Sequence, residues 1–236
     1  MPEPRLHVAI NGAREHPGIP RTPIALAAAA RASVAAGAEV VHLHAYDAEG
    51  NESFDAAVCD AALRAVRAAC PGIPLSLTTS ATIEPDPERR LQLVRSWTEL
   101  PDLVTANQGE AGIVELCEEL LARGVEIEAG LLELRDAELF VESGLAPRCR
   151  RVLLEPLDPD PDTAVAHAVA MADVLEGISL PQVHHGEGIA CWSVNARAAG
   201  LGHGIRTGLE DVTVLPDGSP APDNAALVRA ASALLL

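Results

Sequence analysis

Two histidines one residue apart, in the run Val41-His42-Leu43-His44-Ala45-Tyr46-Asp47, are the side chains in this sequence best suited to chemistry. On a β-strand, residues two apart share a face and stand about 6–7 Å apart along the chain. His42 and His44 at a strand end are therefore co-facial and can share one metal ion, while Leu43 points the other way. A third ligand must come from elsewhere. The run Arg206-Thr207-Gly208-Leu209-Glu210-Asp211 offers two adjacent carboxylates. Two imidazoles and one carboxylate, with a position left for water or substrate, form a recognised catalytic zinc set, and the same donors suit iron or manganese. Arg206 has a planar fork of donors that can orient Asp211 or clamp an anionic substrate.

Other polar positions carry weaker signals. Thr78, Thr79 and Ser80, and Thr105 with Asn107, offer neutral donors that suit a substrate carboxylate. Glu128 sits in the apolar run Val125-Glu126-Ile127-Glu128-Ala129, where a carboxylate must be paired or functional. His184 and His185 are adjacent, so only one can face a site. His7, His16, His167 and His203 show no partner in the sequence and read as structural or surface residues.

The elements that must position these groups repeat as a short apolar run, a polar turn and an Ala/Leu-rich helical segment. Strands are expected at Leu6–Ile10, Glu39–Ala45, Pro74–Thr79, Leu103–Asn107, Glu126–Leu131, Arg151–Leu157, Gln182–His185 and Gly204–Gly208. The first helix opens at Thr22-Pro23, a cap followed by proline at the first helical position, and ends at Gly37. Further helices are expected over about 54–70, from the 84–88 stretch to about 97, and over 109–123, 135–143, 163–175, 189–199 and 224–235. Pro71-Gly72 stops the one over 54–70. Strands alternating with such helices pair in parallel through βαβ crossovers, and eight units in 236 residues point to one closed (β/α)8 TIM barrel of α/β class spanning 1–236. An open doubly wound sheet is the alternative, but no G-x-G-x-x-G follows the first strand. In the barrel, the eighth strand neighbours the first, and active sites gather at the carboxyl ends of the strands. Asn11, His42, His44, Asp47, Thr78, Thr79, Ser80, Thr105, Asn107, Glu128, Glu155, His184, His185, Arg206, Glu210 and Asp211 all fall near those ends.

Composition narrows the function classes. A net charge of −17 argues against nucleic acid and anionic membrane surfaces as partners. All 17 basic residues are Arg, so no lysine is available for an imine. With two Phe, two Trp and one Tyr, the core must be built from Ala, Leu, Val and Ile. Five scattered cysteines without a C-x-x-C read as reduced thiols in a cytoplasm. The opening Met1–Ile10 has no apolar run of signal-peptide length, and no stretch approaches a membrane span.

The HLH run with Asp47 after it, Thr78-Thr79-Ser80 after the third strand and the RTGLED run resemble the β-keto acid cleavage enzymes, a family that includes 3-keto-5-aminohexanoate cleavage enzyme. The opening apolar strand, Pro-rich loop, Thr-Pro helix start and AGAEVVHLH are also similar, so the resemblance covers nearly the whole chain. It implies a metal-dependent barrel, usually oligomeric, that condenses a β-keto acid with acetyl-CoA and releases acetoacetate and a new acyl-CoA. It implies that His42, His44 and Glu210 hold zinc. Asp211, oriented by Arg206, would be the general base, with Ser80, Thr105, Asn107 and Glu128 lining the substrate pocket. Tyr46, Ser80 and Val212 stand where the family usually has Arg, Gly and Asn. The expected partners are thus a small β-keto acid, a CoA thioester and further copies of the chain as a dimer or tetramer. Two other readings share the histidine pair. An amidohydrolase-type metallohydrolase wants further histidines on strands five and six, and a metal- or ligand-binding barrel without turnover needs none.

Overall fold

A computed structural model describes residues 5–236. Eight strands close in chain order into one parallel barrel: β1 (Leu6–Ala9), β2 (Val40–Leu43), β3 (Leu75–Thr78), β4 (Leu103–Asn107), β5 (Glu126–Leu131), β6 (Arg151–Leu154), β7 (Gln182–His184) and β8 (Gly204–Thr207). β8 pairs with β1 through Leu6–Ile205, His7–Arg206 and Val8–Thr207. The helices α1 (Pro23–Ala35), α2 (Ala56–Ala69), α3 (Pro87–Ser96), α4 (Ile113–Ala122), α5 (Leu134–Ser143), α6 (Pro161–Val174), α7 (Ala190–Gly200) and α8 (Asn224–Ser232) form the outer layer. The expected TIM barrel is the fold observed.

Local chemistry explains the starts. Thr22, Asp55, Asp86, Asp160 and Asp223 cap α1, α2, α3, α6 and α8, each accepting a backbone N–H of the first turn. Pro23, Pro87 and Pro161 occupy early helical positions where no N–H is needed. α4 begins at Ile113 rather than near Gly109. A Cβ on Gly109 would stand 2.1 Å from Asp136 Oδ1, so residues 109–112 run as a close-packed loop before Gly112 turns the chain at φ 70°. α8 tightens into a 3₁₀ turn at Ala233–Leu235, and another precedes β6 at Ala146–Arg148.

The period-2 alternation of the strands sorts the core into two parts. Val8, Ile10, Val41, Leu43, Leu75, Leu77, Val104, Ile127, Val152, Leu154 and Ile205 face outward and join one apolar cluster beneath the helices. The inward positions are largely polar: His7, His42, Ser76, Thr105, Glu128, Arg151 and Arg206 are all buried. Glu128 is paired directly with Arg151, as a carboxylate in that setting must be. His7 lies in the same layer with Nδ1 3.7 Å from Glu128 Oε2. His7 is therefore partnered, which corrects its expected isolation; its register beside β8 creates a contact that the sequence does not display. His167 Nδ1 meets Asp158 at 2.8 Å, His16 Nδ1 accepts the Gly18 N–H, and His203 stacks on His184 with ring centres 5.2 Å apart. All five cysteines are buried and unpaired. No described helix is long and apolar enough to cross a membrane.

Candidate metal centre

β2 is shorter than expected and ends at Leu43, one residue before His44. Asn11 takes over from the ladder there. Its Oδ1 accepts the His44 N–H at 2.8 Å and its Nδ2 donates to the His44 carbonyl at 2.9 Å. His42 and His44 stand together, with ring centres 5.3 Å apart.

Glu210 reaches this pair because two glycines allow close approach. A Cβ on Gly208 would lie 1.9 Å from the Ala9 carbonyl oxygen, so only glycine lets the end of β8 lie against β1. A Cβ on Gly12 would lie 2.7 Å from Glu210 Cγ. With both positions bare, Glu210 Oε2 stands 3.7 Å from His42 Nε2 and 3.4 Å from His44 Nε2. One ligand atom from each of the three residues lies within 4.8 Å of the others. Glu210 Oε2 is buried and has no hydrogen-bond partner, whereas Oε1 accepts from Arg206 at 3.0 Å. A buried carboxylate oxygen aimed between two imidazole nitrogens is the arrangement a divalent ion would satisfy. The donor set therefore fits a metal.

The imidazoles are oriented from behind, as metal ligands usually are. His42 Nδ1 lies 3.0 Å from Ser76 Oγ and 3.3 Å from Thr105 Oγ1. Thr105 in turn donates to Glu128 Oε1 at 3.0 Å. His44 Nδ1 is hydrogen-bonded to the Glu52 carboxylate. Asp47 does not join the group. It accepts the Asn51 N–H at 2.8 Å and holds the turn that brings Glu52 back into an antiparallel bridge with Tyr46.

Electrostatics separate the two histidines. Burial pushes His42 down to about 3. Burial also opposes charge on His44, but the Glu210 and Glu52 carboxylates outweigh it and raise the group to about 9. Burial would raise Glu210, yet His44, Arg206 and His42 hold its carboxyl well below the usual range. In the metal-free chain a proton on His44 thus faces Glu210 where a cation would sit. Metal uptake must displace that proton. Zinc affinity is therefore expected to climb about tenfold per pH unit between pH 7 and 8.5, below the His44 value. Competition titrations with a chromophoric chelator across that range check this; a flat profile contradicts it.

Beside the triad, Arg206 grips Asp211 with two bonds, Nη2–Oδ1 at 2.7 Å and Nε–Oδ2 at 3.2 Å. Both side chains are buried. His185 approaches from the other side, Nδ1 3.5 Å from Asp211 Oδ1 and Nε2 2.7 Å from Glu155 Oε2. Burial raises the Asp211 carboxyl above its ordinary value, although Arg206 and His185 pull it down. His185 is therefore the member of its pair that faces the site, while His184 turns outward onto His203. Arg14, from the loop after β1, donates to the Glu210 carbonyl at 3.0 Å and pairs with Glu187, fastening three loops over the site.

The remaining expected pocket residues fall into separate groups. Thr105 and Glu128 continue inward from His42, and burial of Glu128 is outweighed by Arg151 and His7, which hold it down to about 2. Ser80 and Asn107 gather at the mouth around Glu110, with Asn107 Nδ2 3.1 Å from Glu110 Oε1. Thr79 is fully buried and gives its hydroxyl to the Thr105 carbonyl at 2.8 Å. Parity explains this: Ser76 and Thr78 face the lumen, so Thr79 does not. A cavity of about 310 Å³ at the mouth is lined by Arg21, Tyr46, Asn51, Glu52 and Thr82. A larger one, about 610 Å³, lies outside the barrel between α4 and α5 and touches none of the triad.

Sequence reasoning missed Ser76 and Glu52. Ser76 was legible, since period 2 from Thr78 places it inward. Glu52 was not, because a turn returns it to His44 and no strand periodicity reports on that.

Fold and site together define a (β/α)8 barrel with a His–His–carboxylate group at the carboxyl ends of its strands. The model of the beta-keto acid cleavage enzyme family matches residues 5–236, and the chain belongs to that family. No curated protein matches it by sequence. Among solved structures it is similar to 3-dehydroquinate dehydratase from Geobacillus kaustophilus HTA426, with 13% identity, 99% of this chain and 90% of that one covered, and a TM-score of 0.63. The 3-dehydroquinate dehydratase from Aquifex aeolicus VF5 is similar too, at 12% identity, coverage of 98% and 97%, and a TM-score of 0.62. Thiamine phosphate pyrophosphorylase from Pyrococcus furiosus gives 13%, 98%, 95% and 0.58 in the same order. At these identities the likeness is one of fold.

Proposed function

We propose that the chain is a zinc-dependent β-keto acid cleavage enzyme that condenses a β-keto acid with acetyl-CoA, yielding acetoacetate and a new acyl-CoA. One observation carries the reading: the unpartnered Glu210 oxygen faces His42 and His44 beside an Asp211 gripped by Arg206. His42, His44 and Glu210 would hold the ion, which when bound supplies Lewis acidity toward a keto oxygen. Asp211 takes a proton from the carbon between the keto group and the carboxylate, and returns one to that carbon as acetoacetate leaves. The acetyl group passes to that carbon and the original acyl group to the CoA sulfur, so atoms balance. Arg206 holds Asp211 in one orientation throughout. Ser80 and Asn107 at the mouth would meet the substrate, with Thr105 and Glu128 supporting His42 from further in. The absence of lysine removes the imine route to the same bond cleavage.

The amidohydrolase-type alternative wants histidines on β5 and β6; these strands carry Glu128 and Arg151 instead. A homo-oligomer, dimer or tetramer, is part of the proposal. Zinc-loaded protein incubated with acetyl-CoA and a broad panel of β-keto acids should release acetoacetate and a matching acyl-CoA from at least one acid, read by mass spectrometry. No acetoacetate from any acid, with zinc occupancy verified, defeats the assignment.

A further inference from the structure

Two imidazoles of the same group are supported by partners of different chemistry. Behind His42 stand the hydroxyls of Ser76 and Thr105. Behind His44 stands a carboxylate, that of Glu52. Glu52 reaches it from the loop between β2 and α2, where the Asp47–Asn51 turn and the bridge to Tyr46 fix the backbone. Tyr46 is itself anchored, its hydroxyl donating to the Gly12 carbonyl at 2.6 Å. Gly12 is the residue whose missing side chain admits Glu210. Among the described residues Glu52 makes no ion pair with an arginine; its one ion-pair partner is His44, and its side chain is only 16% exposed. A carboxylate drawn out of water toward an imidazole is costly unless that nitrogen carries a proton to donate.

We propose that Glu52 is the positioning residue of the metal centre: it holds the proton on His44 Nδ1, leaves Nε2 as the coordinating nitrogen, and tightens binding of a divalent cation through its charge. The inference rests on reading His42, His44 and Glu210 as the metal site. A carboxylate behind a ligating imidazole fixes its ring and increases its donor strength, and loss of such a partner weakens metal binding about 10–100-fold. A hydroxyl behind His42 can fix the ring but adds no charge. The two supports are therefore unequal, and Glu52 is the stronger.

The test uses the full chain, stripped of metal and titrated with Zn²⁺ against a chromophoric chelator. Glu52→Gln keeps the shape and an acceptor oxygen but removes the charge, and Glu52→Ala removes both. Zinc affinity should fall about tenfold in the first and about 100-fold in the second. Ser76→Ala should fall by less than Glu52→Ala. The Co²⁺-loaded variants should also show a visible spectrum shifted from that of the wild type, which a loss of general stability would not produce. Affinities and spectra within about twofold of wild type for both Glu52 variants overturn the proposal while leaving the metal site standing. A wild-type chain that binds no zinc at His42, His44 and Glu210 overturns both together. A second measurement does not depend on how the variants fold. In zinc-loaded wild type labelled with ¹⁵N-histidine, His44 should retain a proton on Nδ1 and bind zinc through Nε2. Coordination through Nδ1 overturns the proposal.

Discussion

Zinc-loaded Asp211→Asn protein is expected to turn over its β-keto acid about 10²–10⁴-fold more slowly than wild type, with its zinc content unchanged. Both oxygens of Asp211 are turned to Arg206, and one also faces His185, so none is directed at His42 or His44. Asparagine keeps one acceptor for the guanidinium and nearly the same volume, but it cannot take a proton. The effect should therefore fall on kcat, with little change in zinc affinity. Its measurement is a steady-state comparison of wild type and variant at equal zinc occupancy. A variant within about fivefold of wild type removes Asp211 from the proton-transfer role; loss of zinc alongside activity would assign it to the metal set instead.

Arg206→Met is expected to lower the unfolding free energy of the metal-free chain by about 3–5 kcal/mol. Arg206 is buried and has Asp211 at 2.7 Å, Glu210 at 3.0 Å and Glu155 at 3.8 Å around one nitrogen. Methionine fills similar space but leaves three carboxylates close together without their shared cation. Breaking a buried pair from one side costs more than replacing both sides by apolar groups, because the stranded charge keeps its desolvation penalty. For a chain of this size the loss corresponds to a drop of roughly 6–20 °C in midpoint temperature. Zinc should restore part of it, since a cation held by Glu210 relieves the same repulsion. Thermal melts of variant and wild type with and without zinc read both effects. A drop below about 1 kcal/mol, or a zinc-induced rise no larger than that of wild type, contradicts this electrostatic account.

Both predictions concern residues whose types were visible in the sequence but whose mutual geometry was not. The barrel was legible because each of its eight apolar runs is followed by a helical segment, several with a start signal of their own, as at Thr22-Pro23. His42 and His44 were legible for a related reason: period 2 on a strand makes neighbours of alternate residues. Glu210 could be placed near them only by adding barrel closure, which sets β8 beside β1. The limits appear where the chain leaves regular structure. His44 lies past the end of β2, and Asn11 rather than the ladder holds its backbone N–H and carbonyl. Glu52 comes back through a turn that the run Asp47–Asn51 announces without saying what it will touch. His185 and Glu155 were both recognised as strand-end residues, yet their meeting at 2.7 Å depends on the stagger of β6 against β7, a long-range register that local sequence does not encode.

Anomalous diffraction at the zinc edge, from crystals of the zinc-loaded chain, tests the central claim most directly. A single strong peak within bonding distance of His42 Nε2, His44 Nε2 and Glu210 Oε2 is the predicted result. Full zinc loading with no peak between these three side chains, or with the ion held by other residues, would contradict it.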